Sequence, residues 1–297
     1  MTEDCAASAG RAASPALDAV LGKEFPALDK GFVRVVDYMG NDAAVVQAAR
    51  VSYGAGTKKT SEDAALIRYL MRHRHTTPFE MCEIKFHVKM PVFVARQWIR
   101  HRTASVNEYS ARYSVLEDEF YVPEARHVAG QSAINKQGRG DTAAPEKALR
   151  AQEIFREDAA QCYAHYRELL EEGEGGSPGV ARELARMNLP VSVYTQWYWK
   201  IDLHNLLHFL HLRSDSHAQY EIRVYAEIIE KIIALWTPIC FGAYEDYRKG
   251  AVSLSRGQWE AVKAALRGEE FSSFARATSK REWNELCDAM ERPGDKL

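Results

Sequence analysis

The sequence predicts an α/β (α+β) fold, and three segments carry that expectation. Glu83 to Met90 alternates strictly, with Ile84, Phe86, Val88 and Met90 pointing one way, as in a half-buried strand. Val191 to Trp199 (VSVYTQWYW) is rich in β-branched and aromatic residues and reads as another strand. Pro145 to Glu172 keeps an amphipathic helical pattern until Gly173 stops it. With 297 residues, 46% of them hydrophobic and 27% charged, the chain can bury a sizeable core as an ordinary globular protein.

The remaining elements follow in order. Residues 1 to about 25 are rich in Ala and Ser and read as a weakly ordered tail ahead of a main domain, residues 26–250. Phe32 to Met39 is strand-like. Asp42 to Arg50 reads as a short helix and Glu62 to Arg72 as a longer one, with Ile67, Leu70 and Met71 on one face. GAGTKKTS (Gly54 to Ser61) lacks the order of a phosphate loop and reads as the loop before that helix. Pro91 suits the first turn of a helix through Arg100, with a loop after it. Glu119 to Val122 reads as a short strand, and the polar stretch His127 to Thr142 as a mobile loop. GEGGSPG is a linker from which Pro178 can start a helix. Asp202 can cap a helix through Leu212. His217 to Trp236 is a second long helix, ended before Pro238. Residues 251–297 form a helical extension whose last helix opens with Ser279 and Glu282 at capping-box spacing.

Composition removes several classes. A net charge of −2 is less basic than a general nucleic-acid binder needs. The five cysteines are scattered and odd in number, with no CxxC pair, which argues against a disulfide framework or zinc ribbon and for a reducing, cytoplasmic setting. No apolar run is long enough to span a bilayer, and the N-terminus has no apolar core of a signal peptide. No GxGxxG follows a strand, so a dinucleotide would not be held by a Rossmann fingerprint.

Positive charge is instead local. RHRTASVNEYSAR, Arg100 to Arg112, gathers Arg100, His101, Arg102 and Arg112 around Ser105, Asn107 and Ser110, with Glu108 its one acid. Arginine forks beside hydroxyls and an amide suit a phosphate ester. A solvated basic face, or an RNA-binding patch, is the plainer reading of the same residues. The rival signal is HNLLHFLH, where His204, His208 and His211 share a helical face. Such imidazoles can bind zinc or iron, as in a metal-dependent nucleotide hydrolase, although no HExxH accompanies them. No cysteine sits in a cationic setting that would mark a nucleophile.

The Arg100–Arg112 stretch matches every fixed position of RHRxxSxNxxSxR, the signature of the flavin-dependent thymidylate synthases. HRHTTPFE (His73 to Glu80), FHVKMPVFVARQW (Phe86 to Trp98) and LRSDSHAQYEIR (Leu212 to Arg223) also resemble that family, and the likeness runs from about Lys30 to Tyr247. The resemblance implies a single thymidylate synthase-complementing-type domain. That domain would have a mixed sheet with long helices and assemble as a homotetramer with shared active sites. It implies reductive methylation of dUMP to dTMP, with methylenetetrahydrofolate giving the carbon, FAD reduced by NADPH giving the hydride, and tetrahydrofolate leaving. By motif position, Gln97, Arg100, Glu108, Ser110, Arg112 and Arg186 should contact dUMP. FAD should meet Ser52, Thr77, Glu80, Arg100, His101, Arg102, Glu108 and His217. His75 should lie near the folate or flavin ring, and Arg213 should polarise the uracil; a helix-end salt bridge to Asp215 is its plainer reading. Asp202, His204 and His208 stand where relatives carry Asn, Arg and Asn, on a helix that should still meet FAD.

Overall fold

The computed structural model describes residues 12–51, 60–132, 138–173, 176–269, 271–272, 275 and 278–297. Two compact units divide the chain, Met1–Tyr244 and Glu245–Leu297. Ser52, the 54–59 part of GAGTKKTS and residues 1–11 of the expected tail lie outside the described residues.

The first unit begins with a helical turn α1 (Pro15–Asp18), strand β1 (Glu24–Ala27), strand β2 (Gly31–Met39), and helices α2 (Asp42–Arg50), α3 (Thr60–Arg72) and α4 (Thr77–Glu80). Next come β3 (Glu83–Pro91), α5 (Val92–Trp98), β4 (Ser105–Glu108), β5 (Ala129–Gln131), β6 (Arg139–Thr142), the long α6 (Pro145–Leu170) and α7 (Arg182–Ala185). It closes with β7 (Tyr194–Asp202), α8 (Leu203–Arg213), α9 (Tyr220–Trp236) and α10 (Pro238–Tyr244). The main sheet has the order β1-β2-β3-β7-β4. Every pairing in it is antiparallel, so the sheet is not mixed as expected.

Alternation decides which face is covered. Val33, Val35, Ile84, Phe86, Val88, Met90, Trp197, Trp199 and Ile201 are all buried on one face, against which α5, α8 and α9 pack. Trp98 is the hub. Its ring meets Trp197 and Trp199 edge-on at 5.7 and 5.0 Å, stacks on Phe209 of α8 at 4.8 Å, and meets Tyr225 of α9 at 5.9 Å. Aromatic pairs at these spacings add about 0.5–1.5 kcal/mol each beyond area burial.

Several expectations need correction. The tail is ordered well before residue 25. Leu17 is fully buried, Ser14 N donates to Tyr38 Oη (2.7 Å), and that hydroxyl donates to Asp18 Oδ1 (2.6 Å). The stretch expected as a mobile loop carries the two paired arms of the β5–β6 hairpin, Gln131 opposite Arg139 and Ala129 opposite Thr142, while its residues 133–137 lie outside the described residues. The helix expected from Pro178 starts at Arg182; Val180 N first donates to Leu169 O (2.7 Å), satisfying an end carbonyl of α6. Glu119 to Val122 makes only an isolated bridge, Phe120 to Val193. The helix expected from His217 starts at Tyr220, because Asp215 holds His217 N and Ala218 N in a turn.

In the second unit, α11 (Arg256–Leu266) and α12 (Lys280–Ala289) accompany a core of Ala261, Phe271, Trp283, Leu286 and Cys287. The reciprocal capping box lies at Ser255 and Gln258, whereas Ser279 only accepts from Glu282 N (3.2 Å). The Glu282 carboxylate instead accepts from Ser255 Oγ. Among the described residues, no helix is long and apolar enough to cross a membrane.

Leu17→Ala should lower stability by about 2–4 kcal/mol, the usual cost of emptying a buried leucine site. Urea unfolding checks this, and an unchanged midpoint would mean that the first turn contributes nothing to the core.

Candidate active site

Past α5 the signature is not loop throughout. Its middle forms β4, an edge strand on β7, with Val106 opposite Trp199 and Glu108 opposite Trp197. Cross-strand partners share a face, so Val106 and Glu108 point to the helix side while Ser105 and Asn107 point away with Lys200 and Tyr198. Glu108 accordingly accepts from Thr195 Oγ1 at 2.7 Å, on that same side. Ser110 opens the turn that follows, and its hydroxyl accepts from Arg112 N (3.3 Å). Arg112 lies over the Tyr113 ring at 5.5 Å. Arg100 and Arg102 are exposed just past α5.

The structure brings the two distant sequence signals together. Arg213, near the end of α8, donates from Nε to Nε2 of His101 at 3.0 Å. Arginine has no acceptor, so Nε2 must carry the lone pair and Nδ1 the proton. Burial, the Arg213 charge and His208 hold the His101 imidazolium down at about 4. Partial burial also pulls the Arg213 pKa below its ordinary value. Asp215 is not the partner expected in the plainer reading, for its Oδ1 accepts from His217 N (2.7 Å) and Nδ1 (2.9 Å).

The histidines of α8 diverge. The His208 ring lies 6.1 Å from that of His101, and His211 is exposed. Among the described residues no group of three His, Cys, Asp or Glu is placed to hold a metal ion, so the hydrolase alternative gains no support. Asp202 caps α8, accepting from Asn205 N (2.9 Å) and Nδ2 (2.8 Å), which leaves His204 half-buried in the first turn.

Other expected residues fall elsewhere on the chain. His75 and Thr77 line a cleft of about 1100 Å³ with Leu66, Tyr69, Arg74 and Met81. Its His75 and Tyr69 rings are stacked (6.0 Å, 17°). Flat rings, apolar side chains and the hydroxyls at the start of α4 fit a large aromatic group with polar edges, as a flavin is. Glu80 follows on α4, which lies against α8. His217 lines a separate cleft of about 660 Å³ with Arg126, Arg139, Tyr220 and Arg223. Arg186 is exposed on the turn Arg186–Asn188, which packs against α6.

The sequence reading missed a buried polar chain beside Gln97. Gln97 donates to Gln219 (2.6 Å), Gln219 donates to Glu221 (2.8 Å), and Tyr121 and Arg139 also donate to Glu221. Its signal was an acid on the apolar face of α9, one residue before Ile222 and four before Tyr225.

The family model for the thymidylate synthase complementing protein matches residues 34–239. The chain belongs to this family. A flavin-dependent thymidylate synthase of Gluconobacter oxydans is 61% identical over 93% of this chain and 90% of its own length. One from Ruegeria pomeroyi is 58% identical over 95% of this chain and 93% of its own. Among solved structures, a UMP/dUMP methylase, PolB, from Streptomyces cacaoi bound with 5-Br dUMP superposes with a TM-score of 0.67 at 33% identity. That match covers 76% of this chain and 99% of PolB.

An imidazole that resists protonation when folded makes stability fall as pH drops from its unfolded value of 6.5 toward about 4. Above 6.5 both states are neutral and the cost vanishes. His101→Asn should therefore show a smaller loss of Tm across that window than the parent, measured at fixed ionic strength. Identical pH profiles would assign the loss to other groups.

Proposed function

We propose that this chain is a flavin-dependent thymidylate synthase. It methylates dUMP to dTMP with methylenetetrahydrofolate as carbon donor and FAD, reduced by NADPH, as cofactor, releasing tetrahydrofolate. The carrying observation is the Arg213–His101 pair, which joins two of the family stretches at one point and aims a half-buried guanidinium from a fixed base.

The chemistry asked of that guanidinium is electrostatic. Making uracil C5 nucleophilic places negative charge on the N3–C4=O edge. A preorganised cation stabilises that charge, and arginine cannot take up a proton in its place. With Nε on His101, the two terminal nitrogens of Arg213 remain to address the uracil. Activation by a cysteine adduct finds no support, since burial and Asp42 push the Cys82 thiol up to about 12, and burial raises the Cys240 thiol well above its ordinary value. Arg100, Arg112 and Arg186 bind phosphate, and Gln97, Glu108 and Ser110 complete the dUMP contacts.

The flavin, when bound, supplies the hydride. Thr77, Glu80, Arg100, His101, Arg102, Glu108 and His217 would hold it, with Ser52, His204 and His208, while His75 faces the flavin or folate ring. Asp202 serves through the helix cap. These residues are distributed over separate surfaces of one chain, which supports a homotetramer whose sites are shared between subunits, while five scattered cysteines with no CxxC pair support a cytoplasmic setting.

The purified protein should be yellow, be bleached by NADPH, and form dTMP only with methylenetetrahydrofolate present. Release of dihydrofolate in place of tetrahydrofolate would reject the reading. Arg213→Lys should lose turnover almost as severely as Arg213→Ala, by about 2–4 kcal/mol, because lysine lacks the planar fork. Arg112→Ala and Arg186→Ala should instead raise the Kd for dUMP first, since phosphate charge does not change during reaction. Steady-state and binding data on the four variants check this, and near-normal turnover in the lysine enzyme would remove Arg213 from the uracil edge.

A further inference from the structure

Glu221 lies at the start of α9 with 1% of its side chain exposed, and nothing in the chemistry above uses it. A buried carboxylate needs compensation, and here Arg139, Tyr121 and Gln219 all donate to it. Burial pushes its pKa up, but the hydrogen bonds from Arg139 and Gln219 outweigh this and leave it below the ordinary value.

An ionised carboxylate only accepts hydrogen bonds. That rule propagates. Gln219 must turn its NH2 toward Glu221, and does so at 2.8 Å, so its Oε1 faces the other way. Gln97 must then turn its own NH2 to that oxygen, at 2.6 Å. The Oε1 of Gln97 is left as the group facing outward. The ambiguity of two amides is thus resolved by one charge, with no freedom to flip either alone.

We propose that Glu221 is a positioning residue whose charge, relayed through Gln219, forces Gln97 to offer the nucleotide a hydrogen-bond acceptor and so selects a donor on the substrate. The proposal rests on Gln97 contacting dUMP. On dUMP the imide N3–H is that donor, because it cannot accept, whereas the 3′-hydroxyl both donates and accepts and would pair with either end of the amide. Arg139 ties the β5–β6 hairpin into the same relay, so the hairpin stands behind the substrate site although it need not touch the substrate.

The test measures dUMP, dCMP and 2′,3′-dideoxyuridine 5′-monophosphate binding to flavin-loaded enzyme by competition. dCMP replaces the N3 donor by an acceptor, and the dideoxy nucleotide, which keeps N3–H, is the control. The parent should bind dCMP about tenfold more weakly than dUMP, as for an unpaired acceptor. In Glu221→Gln the relay can run in reverse, and that penalty should shrink to less than about threefold. Gln219→Leu, which leaves Glu221 its bonds to Arg139 and Tyr121, should shrink it likewise and covers the case in which Glu221→Gln does not fold. A merely structural role would weaken all three nucleotides alike, and an unchanged dCMP-to-dUMP ratio in either folded variant overturns the proposal. A parent enzyme that does not bind dUMP at all would instead reject the proposed function.

Discussion

The packing of Trp98 is the constraint on which the rest depends. One indole touches β7, α8 and α9 at once from the last residue of α5. Interiors packed at this density do not deform continuously, so the elements around the ring move together or not at all. Gln97 precedes it and Arg100 follows by two, which means that the polar surface is fixed to the apolar hub through two or three backbone units. Precision in the site therefore originates in the core rather than in the exposed arginines.

Electrostatics completes what packing begins. Arg213 is held by a neutral ring instead of a carboxylate. A carboxylate there would neutralise the guanidinium and compete for its forks, whereas an imidazole orients it and leaves the charge intact. The acid available at that helix end, Asp215, is occupied by His217. The same economy of charge appears at Glu221, which is surrounded by donors and takes its ion pair from Arg139.

What was legible in the sequence followed periodicity and caps. β3 and α2 appear where alternation and helical spacing placed them, and Asp202 caps α8 as its position before an apolar helix implied. The family stretches were legible because their residues are contiguous. The failures have one physical origin, which is that the deciding partner lies far along the chain. β4 looks like loop until β7 offers its edge. The β5–β6 hairpin looks like a polar, mobile segment until Arg139 meets Glu221, 82 residues on. Leu17 looks like part of a tail until the core closes over it. The His101–Arg213 bond spans 112 residues, and no pattern in the sequence announces it.

That separation bears on how the protein is made. The signature emerges early, as residues 100–112, but the strand it must pair with is not complete until Asp202. β3 waits for the same strand on its other edge. Closing a loop of this length must precede the contacts that reward it, so the pairing of β4 is a slow, non-local step. On a ribosome the arginine-rich segment would stay without its strand partner while about ninety further residues were synthesised. The surface that marks the family in the sequence is thus among the last parts of the fold to take shape.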